Sequence, residues 1–190
     1  MVDSSLKIVG VDEAGRGPLA GPVVAAAVSL NSAIAGLDDS KKLSKAKRKK
    51  LFHEITQHPW AFAVVSPREI DRYNIHHASL LAFERAIKVF PGQVGHILVD
   101  GKYTPNWDYS SEAVIKGDQK FKEISAASII AKVIRDMMME NLHQIYPMYG
   151  FDQHKGYPTA KHIKSMNEYG LTPAHRHSYA PVKNILEAVQ

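Results

Sequence analysis

The chain has 190 residues, of which 45% are hydrophobic and 23% charged, a composition typical of a globular domain that excludes an intrinsically disordered chain. It contains no cysteine, which excludes a disulfide framework and a thiolate zinc site and fits a reducing compartment such as the cytoplasm. The formal net charge of +5 favours a polyanionic partner, nucleic acid first, although many basic proteins bind none.

The N-terminal segment and the longest apolar stretch argue against export and membrane insertion. Met1–Lys7 has neither the basic start nor the apolar core of a signal peptide. Pro18–Leu30 is interrupted by Gly21, Pro22 and Ser29 and is too short to span a bilayer. We therefore expect a soluble, cytoplasmic protein with no membrane contact.

Hydrophobic periodicity predicts strands and helices along the whole chain. The predicted strands cover Leu6–Val11, Val23–Leu30, Ala61–Val65 (stopped by Pro67), His96–Val99 and Ala113–Ile115. The predicted helices are one capped by Ser44 that carries Leu51, Phe52 and Ile55, then Ser79–Val89, Ser125–His143, Ala160–Glu168 and Lys183–Ala188. Strands come first and then alternate with helices, which predicts a single domain over residues 1–190 with a mixed sheet covered by helices.

Acidic residues follow several of the predicted strands. Asp12 and Glu13 come directly after the first strand, whereas Asp100 and Asp118 follow the last two. Ligands of open mixed sheets gather beyond strand ends, and carboxylates in a chain without cysteine suit Mg²⁺ or Mn²⁺. Each aspartate alone is more typical of a turn, so the shared context is what favours a metal site.

The glycine run after the first strand requires comparison with phosphate-binding loops. Gly10–Arg16 has the glycine spacing of a P-loop, but Arg-Gly stands where that motif has Lys-Ser or Lys-Thr. Asp12 and Glu13 would also repel phosphate oxygens in the absence of a metal. Gly15–Gly21 does not fit the dinucleotide-binding pattern, so both readings are rejected.

A basic run and several histidines are further candidates for binding. Residues 41–50 contain seven Lys or Arg residues. Lys45 and Lys47 fall in the first turn of a predicted helix, where the helix dipole disfavours cations, so contact with a phosphate backbone is favoured over a merely solvated face. For most of the histidines, structural hydrogen bonds or phosphate contacts are favoured over zinc. The histidines singled out are His76, His77, His154, His162, His175 and His177.

Six segments together resemble the type 2 ribonucleases H, in the order of that family and from about Lys7 to Val182. They are Gly10–Pro22 (GVDEAGRGPLAGP), Asp39–Ser44 (DSKKLS), Val99–Gly101 (VDG), Lys116–Asp118 (KGD), Ser125–Asp136 (SAASIIAKVIRD) and Tyr149–Thr159 (YGFDQHKGYPT). Each motif alone is moderately specific, whereas the whole set is highly specific and shows no departure at a catalytic position.

The resemblance implies an α/β, ribonuclease H-like fold: a mixed five-stranded sheet flanked by helices, with a C-terminal helical extension over about residues 145–190. The catalytic, metal-binding carboxylates that it implies are Asp12, Glu13, Asp100 and Asp118. The substrate-binding residues that it implies are Gly15, Arg16, Gly17 and Tyr157 at the junction nucleotide, and Lys41 and Lys42 near the phosphates. Asp136 lies ~20° around its predicted helix from Ile129 and is either a reserve ligand or the partner of a nearby Lys or Arg.

The expected activity is hydrolysis of RNA in RNA–DNA hybrids, and cutting at single ribonucleotides in duplex DNA, by a monomer. Two Mg²⁺ or Mn²⁺ ions would assist phosphodiester hydrolysis, leaving 3′-hydroxyl and 5′-phosphate ends. Discrimination against DNA must depend on the 2′-hydroxyl, which the backbone of Gly15–Gly17 can approach closely. A junction resolvase or integrase core of the same fold, and a catalytically inactive hybrid-binding module, are the alternatives.

Overall fold

The computed structural model describes residues 6–38, 40 and 42–188, and these contain one mixed sheet of five strands. The strands are β1 (Lys7–Ala14), β2 (Val23–Val28), β3 (Trp60–Val65), β4 (Val94–Asp100) and β5 (Ser111–Val114). Their order in the sheet is β3-β2-β1-β4-β5, with β2 antiparallel to both of its neighbours and β1, β4 and β5 parallel. The predicted mixed five-stranded sheet is thus confirmed.

Helices cover both faces of this sheet. The six α-helices of the described residues are α1 (Lys45–Ile55), α2 (Pro67–Lys88), α3 (Lys122–Ile145), α4 (Phe151–His154), α5 (Ala160–Tyr169) and α6 (Ala180–Ala188). Ser44 caps α1 as predicted, because its hydroxyl accepts a hydrogen bond from the Lys47 amide at 3.2 Å. None of these helices is both long and apolar enough to cross a membrane.

Strand β2 shows why the sheet needs helices on both faces. All six of its residues, VVAAAV, are buried. Since successive side chains point to opposite faces, Val23 and Ala25 pack in the core beneath α2, whereas Val24 and Ala26 pack in the core beneath α1 and α3. The three small alanines among these residues leave room for the helices on each side to approach closely.

Helix α2 begins well before the predicted start at Ser79. Pro67 ends the preceding strand, as predicted, but it also occupies the first turn of the helix, where its missing N–H is not needed. Ser66 and Glu69 complete a reciprocal capping box around it. Asn74 has a left-handed φ of 62° and interrupts the helix, and its side-chain oxygen caps the two amides at residues 76 and 77.

The C-terminal helices form a third apolar core around the chain that follows β1. Leu19 and Ala20 pack there with Phe151, Met166 and Val182. The short helix α4 was not predicted, and α6 begins earlier than the predicted Lys183. The predicted C-terminal helical extension is confirmed, and it encloses the segment that follows the carboxyl end of β1.

Candidate active site

The two central parallel strands diverge where their acidic residues begin. Pairing between β1 and β4 ends at the register Val11↔Val99, whereas β1 stays paired with β2 as far as Ala14. Asp12 and Asp100 are the next residues on the two strands. The expectation that Asp12 and Glu13 follow the end of the strand is wrong in this detail, because β1 includes both of them.

One cavity of about 660 Å³ lies at this point, and it is lined by most of the residues that the sequence singled out. Its predicted members are Asp12, Glu13, Gly15, Arg16, Gly17, Asp100, Asp118 and Tyr157. Residues from β1, β4, the turn after β5 and the segment after α4 therefore meet around one space. The structure brings together all four predicted carboxylates and all four predicted residues of the nucleotide-recognition set.

Asp12 is the most deeply buried of the four carboxylates. It is 6% exposed, and its Oδ1 accepts a hydrogen bond from the Glu13 amide at 2.7 Å. Burial raises its pKa well above the usual range, and the charges of Glu13 and Asp100 raise it further. A hydrogen bond with the Ser128 side chain acts in the opposite direction. The carboxylate is therefore costly to ionise unless a cation is present.

Glu13 is held by an arginine from the turn that follows it. The Glu13 side chain is 11% exposed, and Arg16 Nη1 lies 3.3 Å from its Oε1. Burial raises the pKa of Glu13, the Arg16 charge lowers it and the Asp100 charge raises it. Arg16 Nη1 also donates to the Ser79 hydroxyl at 3.0 Å, which ties the turn to α2.

Asp100 and Asp118 are positioned by one tight turn. Asp100 Oδ1 accepts a hydrogen bond from the Gly117 amide at 2.7 Å. A Cβ at Gly117 would lie 2.4 Å from Ile124 Cδ1, so a side chain at this position would displace the end of the Ile124 side chain. Lys116 adopts a left-handed φ of 55° and starts the 3₁₀ turn Gly117–Gln119, which carries the half-buried Asp118 to the cavity.

Carboxylate oxygens are the ligands that a hard divalent cation prefers, but these four side chains do not converge on a single position. Among the described residues, no three His, Asp or Glu side chains are close enough together to hold a metal ion. Four oxygen-donor groups nevertheless line one cavity, and burial, followed by repulsion from neighbouring carboxylates, raises the pKa of Asp12 and of Glu13. Mg²⁺ and Mn²⁺ prefer such ligands and would relieve that repulsion, so the residues fit the ion.

Gly15–Gly17, called the glycine turn from here on, forms the other wall of the cavity. Gly15 has a φ of 103°, and a Cβ there would lie 2.1 Å from Arg135 Nε, so a side chain is excluded. A Cβ at Gly17 would lie 3.4 Å from Tyr157 Cε1. The ring of Tyr157 is 44% exposed, so it lies beside Gly17 and still faces solvent.

The basic run is largely occupied by contacts within the protein. Lys41 lies outside the described residues. Lys42 is exposed, does not line the cavity and forms an ion pair with Asp38 at 3.5 Å. Lys45 pairs with Glu140 at 2.8 Å. Arg48 does line the cavity, and it donates a hydrogen bond to the Ser40 carbonyl at 2.8 Å.

Asp136, the reserve ligand, lies away from the other carboxylates. Its Oδ1 accepts from Lys132 Nζ at 2.7 Å, one helical turn earlier. It lines a separate groove of about 400 Å³ between α1 and α3. Of the two roles that the sequence left open for Asp136, the structure shows the pairing with a lysine.

Two buried arginines were not predicted as site residues. Arg135 and Arg176 are 1% and 0% exposed, and both donate to backbone carbonyls of the segment after β1. Arg135 lies within a quoted motif, but a sequence alone does not distinguish a buried arginine from an exposed one. Arginine is usually exposed, so no pattern in the sequence indicated that either residue is buried beside the site.

Histidines of the C-terminal region form a buried cluster. His162 and His175 are 0% and 1% exposed, and their Nε2 atoms lie 3.1 Å apart. The ring of His154 stacks on His162 at a centroid distance of 4.6 Å. Burial lowers the pKa of both His162 and His175 to about 4, so both are neutral at pH 7. Of the roles considered for the histidines, the structure shows hydrogen bonding within the protein for His162 and His175.

The fold and the cavity together define the class of the protein. A mixed sheet in this strand order, with carboxylates where its two central parallel strands diverge, is that of a ribonuclease H, an endoribonuclease that hydrolyses phosphodiester bonds. The Ribonuclease HII family profile matches residues 9–182. The chain belongs to the ribonuclease HII family.

Individual relatives agree with this assignment. Ribonuclease HII of Francisella philomiragia is 50% identical over 183 residues, which cover 94% of this chain and 99% of that protein. The crystal structure of ribonuclease H2 from Pyrococcus horikoshii has a TM-score of 0.81 at 29% identity and covers 96% of this chain and 98% of its own. Bst-RNase HIII in complex with Mn²⁺ has a TM-score of 0.72 at 20% identity, covers 98% of this chain and 71% of its own, and shares the fold.

Proposed function

We propose that this endoribonuclease cuts the RNA strand of RNA–DNA hybrids and also cuts at single ribonucleotides embedded in duplex DNA, leaving 3′-hydroxyl and 5′-phosphate ends. The observation that carries the proposal is that one cavity is lined by four carboxylates on one wall and by the glycine turn with Tyr157 on the other. Groups suited to cleavage and groups suited to recognition of a sugar are thus adjacent.

Asp12, Glu13, Asp100 and Asp118 would hold two divalent ions, Mg²⁺ or Mn²⁺, when substrate is bound. Such ions supply charge relief on the phosphate and lower the pKa of water. Mn²⁺ is the ion in the structure of Bst-RNase HIII, which shares this fold. The raised pKa of Asp12, caused first by burial and then by Glu13 and Asp100, supports the need for a cation at this wall.

Hydrogen bonds from the protein restrain these carboxylates before substrate arrives. Arg16 holds one oxygen of Glu13, and the Gly117 amide holds one oxygen of Asp100. Each carboxylate keeps a second oxygen for another partner, since a carboxylate accepts through both oxygens. The restraint limits the rotation needed to align the acidic wall with a scissile phosphate, and no side-chain nucleophile is required.

The glycine turn and Tyr157 would recognise the ribose. Because residue 17 has no Cβ, a sugar can lie against its backbone, with the Tyr157 ring 3.4 Å from where a Cβ would be. Backbone amides and carbonyls can then form hydrogen bonds with the 2′-hydroxyl, the group that distinguishes RNA from DNA at each nucleotide. A single ribonucleotide is sufficient for this contact, which is why isolated ribonucleotides are proposed substrates.

Basic side chains near the cavity would contact phosphates on either side of the cut. Arg48 and Lys132 line the cavity itself. An adjoining cavity of about 270 Å³ shares Glu13 and Asp100 with it and is lined by Lys102. Lys41 and Lys42 remain proposed phosphate contacts farther along the duplex, where Lys42 would exchange its ion pair with Asp38 for the substrate.

We further propose that residues 1–190 act as one domain, as a monomer in the cytoplasm. The sheet, the helices on both of its faces and the C-terminal helices all contribute residues to the same cavity or to its supports. No second copy of the chain is needed to complete the set of proposed site residues.

A panel of substrates tests the proposed function. The purified protein is incubated with a uniform RNA–DNA hybrid, duplex DNA with one ribonucleotide, and branched DNA, each with Mg²⁺, Mn²⁺ or a chelator. We expect metal-dependent cleavage of the first two substrates and none of the third. Cleavage of branched DNA alone would identify a junction resolvase, and binding without cleavage in any metal would identify an inactive hybrid-binding module.

A further inference from the structure

Arg176 holds the backbone of the glycine turn with every N–H of its guanidinium. Nη2 donates to the Gly15 carbonyl at 2.6 Å and to the Gly21 carbonyl at 2.8 Å. Nε donates to the same Gly21 carbonyl at 3.0 Å. Nη1 donates to the Arg16 carbonyl and to the Tyr179 hydroxyl, each at 3.0 Å. The five N–H donors of the side chain are therefore all used.

Burying this arginine is costly, which argues that its position matters. Arg176 is 0% exposed, and burial lowers its pKa. All of its hydrogen-bond acceptors are oxygen atoms of uncharged carbonyl or hydroxyl groups. A buried charge without an ion-pair partner is rare in proteins, and an apolar side chain would fill the same space at less cost.

The orientation of the Gly15 and Arg16 carbonyls determines the direction of the Arg16 and Gly17 amides. In a trans peptide the N–H points opposite to the C=O of the same plane, and the structure has no cis peptide among the described residues. Because the carbonyls of Gly15 and Arg16 face Arg176, the N–H groups of Arg16 and Gly17 face the other way. Within the described part of the chain neither N–H has a hydrogen-bond acceptor, and both residues line the cavity.

Neighbouring contacts attach the same C-terminal segment to the turn. The Tyr179 hydroxyl donates to the Arg16 carbonyl at 2.5 Å. The Arg176 amide donates to the Leu19 carbonyl, and the Gly21 amide donates to the Ala174 carbonyl, each at 2.8 Å. The guanidinium thus belongs to a backbone-paired segment that cannot shift independently of the turn.

We propose that Arg176 is a positioning residue for ribose recognition. It draws two consecutive carbonyls of the glycine turn inward, so that the amides of Arg16 and Gly17 are directed into the cavity as donors for the 2′-hydroxyl and the adjoining phosphate. This rests on the proposed function, since it assigns a support to the turn that recognises the ribose. It gives the C-terminal helical region a part in substrate selection.

The test measures selectivity, which a general loss of folding does not change. On an Asp12→Asn background, which prevents cleavage, the Kd is measured in Mg²⁺ for duplex DNA with one ribonucleotide and for the same duplex without it. Arg176→Lys keeps the charge but not the fork of donors. The selectivity is the Kd of the duplex without the ribonucleotide divided by the Kd of the duplex with it. We expect this Kd ratio to fall by about tenfold in Arg176→Lys, which is the effect of losing one to two hydrogen bonds.

Two further variants keep the outcome interpretable. Val182→Ala removes buried apolar volume from the same C-terminal core, and its apolar side chain donates no hydrogen bond to the turn, so we expect reduced thermal stability with an unchanged Kd ratio. Tyr179→Phe removes one hydroxyl from the Arg16 carbonyl and leaves Arg176 in place. It should lower the ratio by about threefold, and it supplies the test if Arg176→Lys does not fold.

An unchanged ratio in both Arg176→Lys and Tyr179→Phe would overturn the proposal, as would an equal loss in Val182→Ala. If the Asp12→Asn protein itself shows no preference for the ribonucleotide-containing duplex, the proposed function fails instead. The two failures are therefore distinguishable in one set of titrations.

Discussion

The ring of Tyr157 lies beside the Cα of Gly17, close enough that a methyl group on residue 17 would be 3.4 Å from Cε1 of the ring. The two residues come from opposite parts of the chain, one from the turn after β1 and the other from the segment after α4. The tyrosine ring and the bare backbone of Gly17 are therefore neighbouring surfaces of one cavity, and they are the surfaces against which we propose that the ribose lies.

Removal of the Tyr157 ring should impair cutting at a single ribonucleotide more than it impairs duplex binding. We expect Tyr157→Ala to lower kcat/KM on duplex DNA with one ribonucleotide by about 10²-fold, because the sugar loses the group that orients it. The Kd for the same duplex should rise by less than about threefold, since phosphate contacts supply most of the affinity. Tyr169→Ala, an exposed tyrosine outside the cavity, is the matched control. Equal losses in both assays would contradict the assignment.

Replacement of Asp12 by asparagine should abolish cleavage and stabilise the metal-free protein. Burial raises the pKa of Asp12, so the folded protein binds a proton more tightly than the unfolded chain, and stability is lost as pH rises through the folded pKa. At neutral pH a neutral asparagine avoids this loss. Cleavage should fall by at least about 10³-fold, because one of the four proposed metal ligands is removed. Asp108→Asn, at an exposed position, should change neither property. Near-normal cleavage by Asp12→Asn would contradict the metal-site proposal.

Divalent cations should stabilise the fold through the carboxylate cavity. A ligand that binds only the folded state adds about 1.4 kcal/mol when its concentration is ten times its Kd. We therefore expect thermal unfolding of the wild-type protein to shift upward with Mg²⁺ or Mn²⁺ and to return on chelation. The shift should be much smaller in Asp100→Asn. An equal shift in that variant would indicate that the ions bind elsewhere.

Acid should destabilise the C-terminal core before it titrates most carboxylates. The pKa of His162 and of His175 is about 4, against a usual 6.5, chiefly because both are buried. Between these values the unfolded chain binds more protons, so stability falls as pH is lowered from about 6.5 towards about 4. Each unit of pKa difference contributes about 1.4 kcal/mol at most. Chemical denaturation across this pH range measures the slope.

His175→Asn provides the comparison for that slope. Its side-chain oxygen can still accept the hydrogen bond that His175 Nδ1 receives from the Thr172 amide at 3.0 Å, but it does not titrate. We expect a shallower dependence on pH than in the wild-type protein. His53→Asn, at an exposed histidine on α1, should leave the slope unchanged. Identical slopes in all three proteins would show that the buried imidazoles do not control acid sensitivity.

Much of the carboxylate wall could be predicted because acidic residues after apolar strands have a distinctive local pattern. Asp118 follows β5 as that pattern predicts, whereas Asp100 is the last residue of β4 and is still paired with Val114. The family resemblance was needed to group these aspartates with Asp12 and Glu13. The predicted end of β1 was wrong because Asp12 and Glu13 interrupt an apolar run. In the structure both residues remain paired with β2. A sequence pattern records polarity, whereas a strand ends where its hydrogen bonds end.

Other features depended on contacts between distant parts of the chain. The first half of α2 was missed because Pro67 was taken only as a strand breaker, and its role in the first helical turn depends on the capping by Ser66. Asp136 faces inward as its spacing suggested, but the nearer Lys132 determines its partner. Arg176 could not be foreseen at all, since its acceptors lie as far as 161 residues earlier in the sequence.

That separation has a consequence for the newly made protein. Arg176 is synthesised 161 residues after Gly15, and at about 5–20 residues per second the ribosome needs roughly 8–30 s to cover that length. During this interval the acidic strand already exists, but the guanidinium that we propose orients the glycine turn does not. On this proposal a nascent chain cannot select a substrate until Arg176 has been synthesised and has reached the glycine turn.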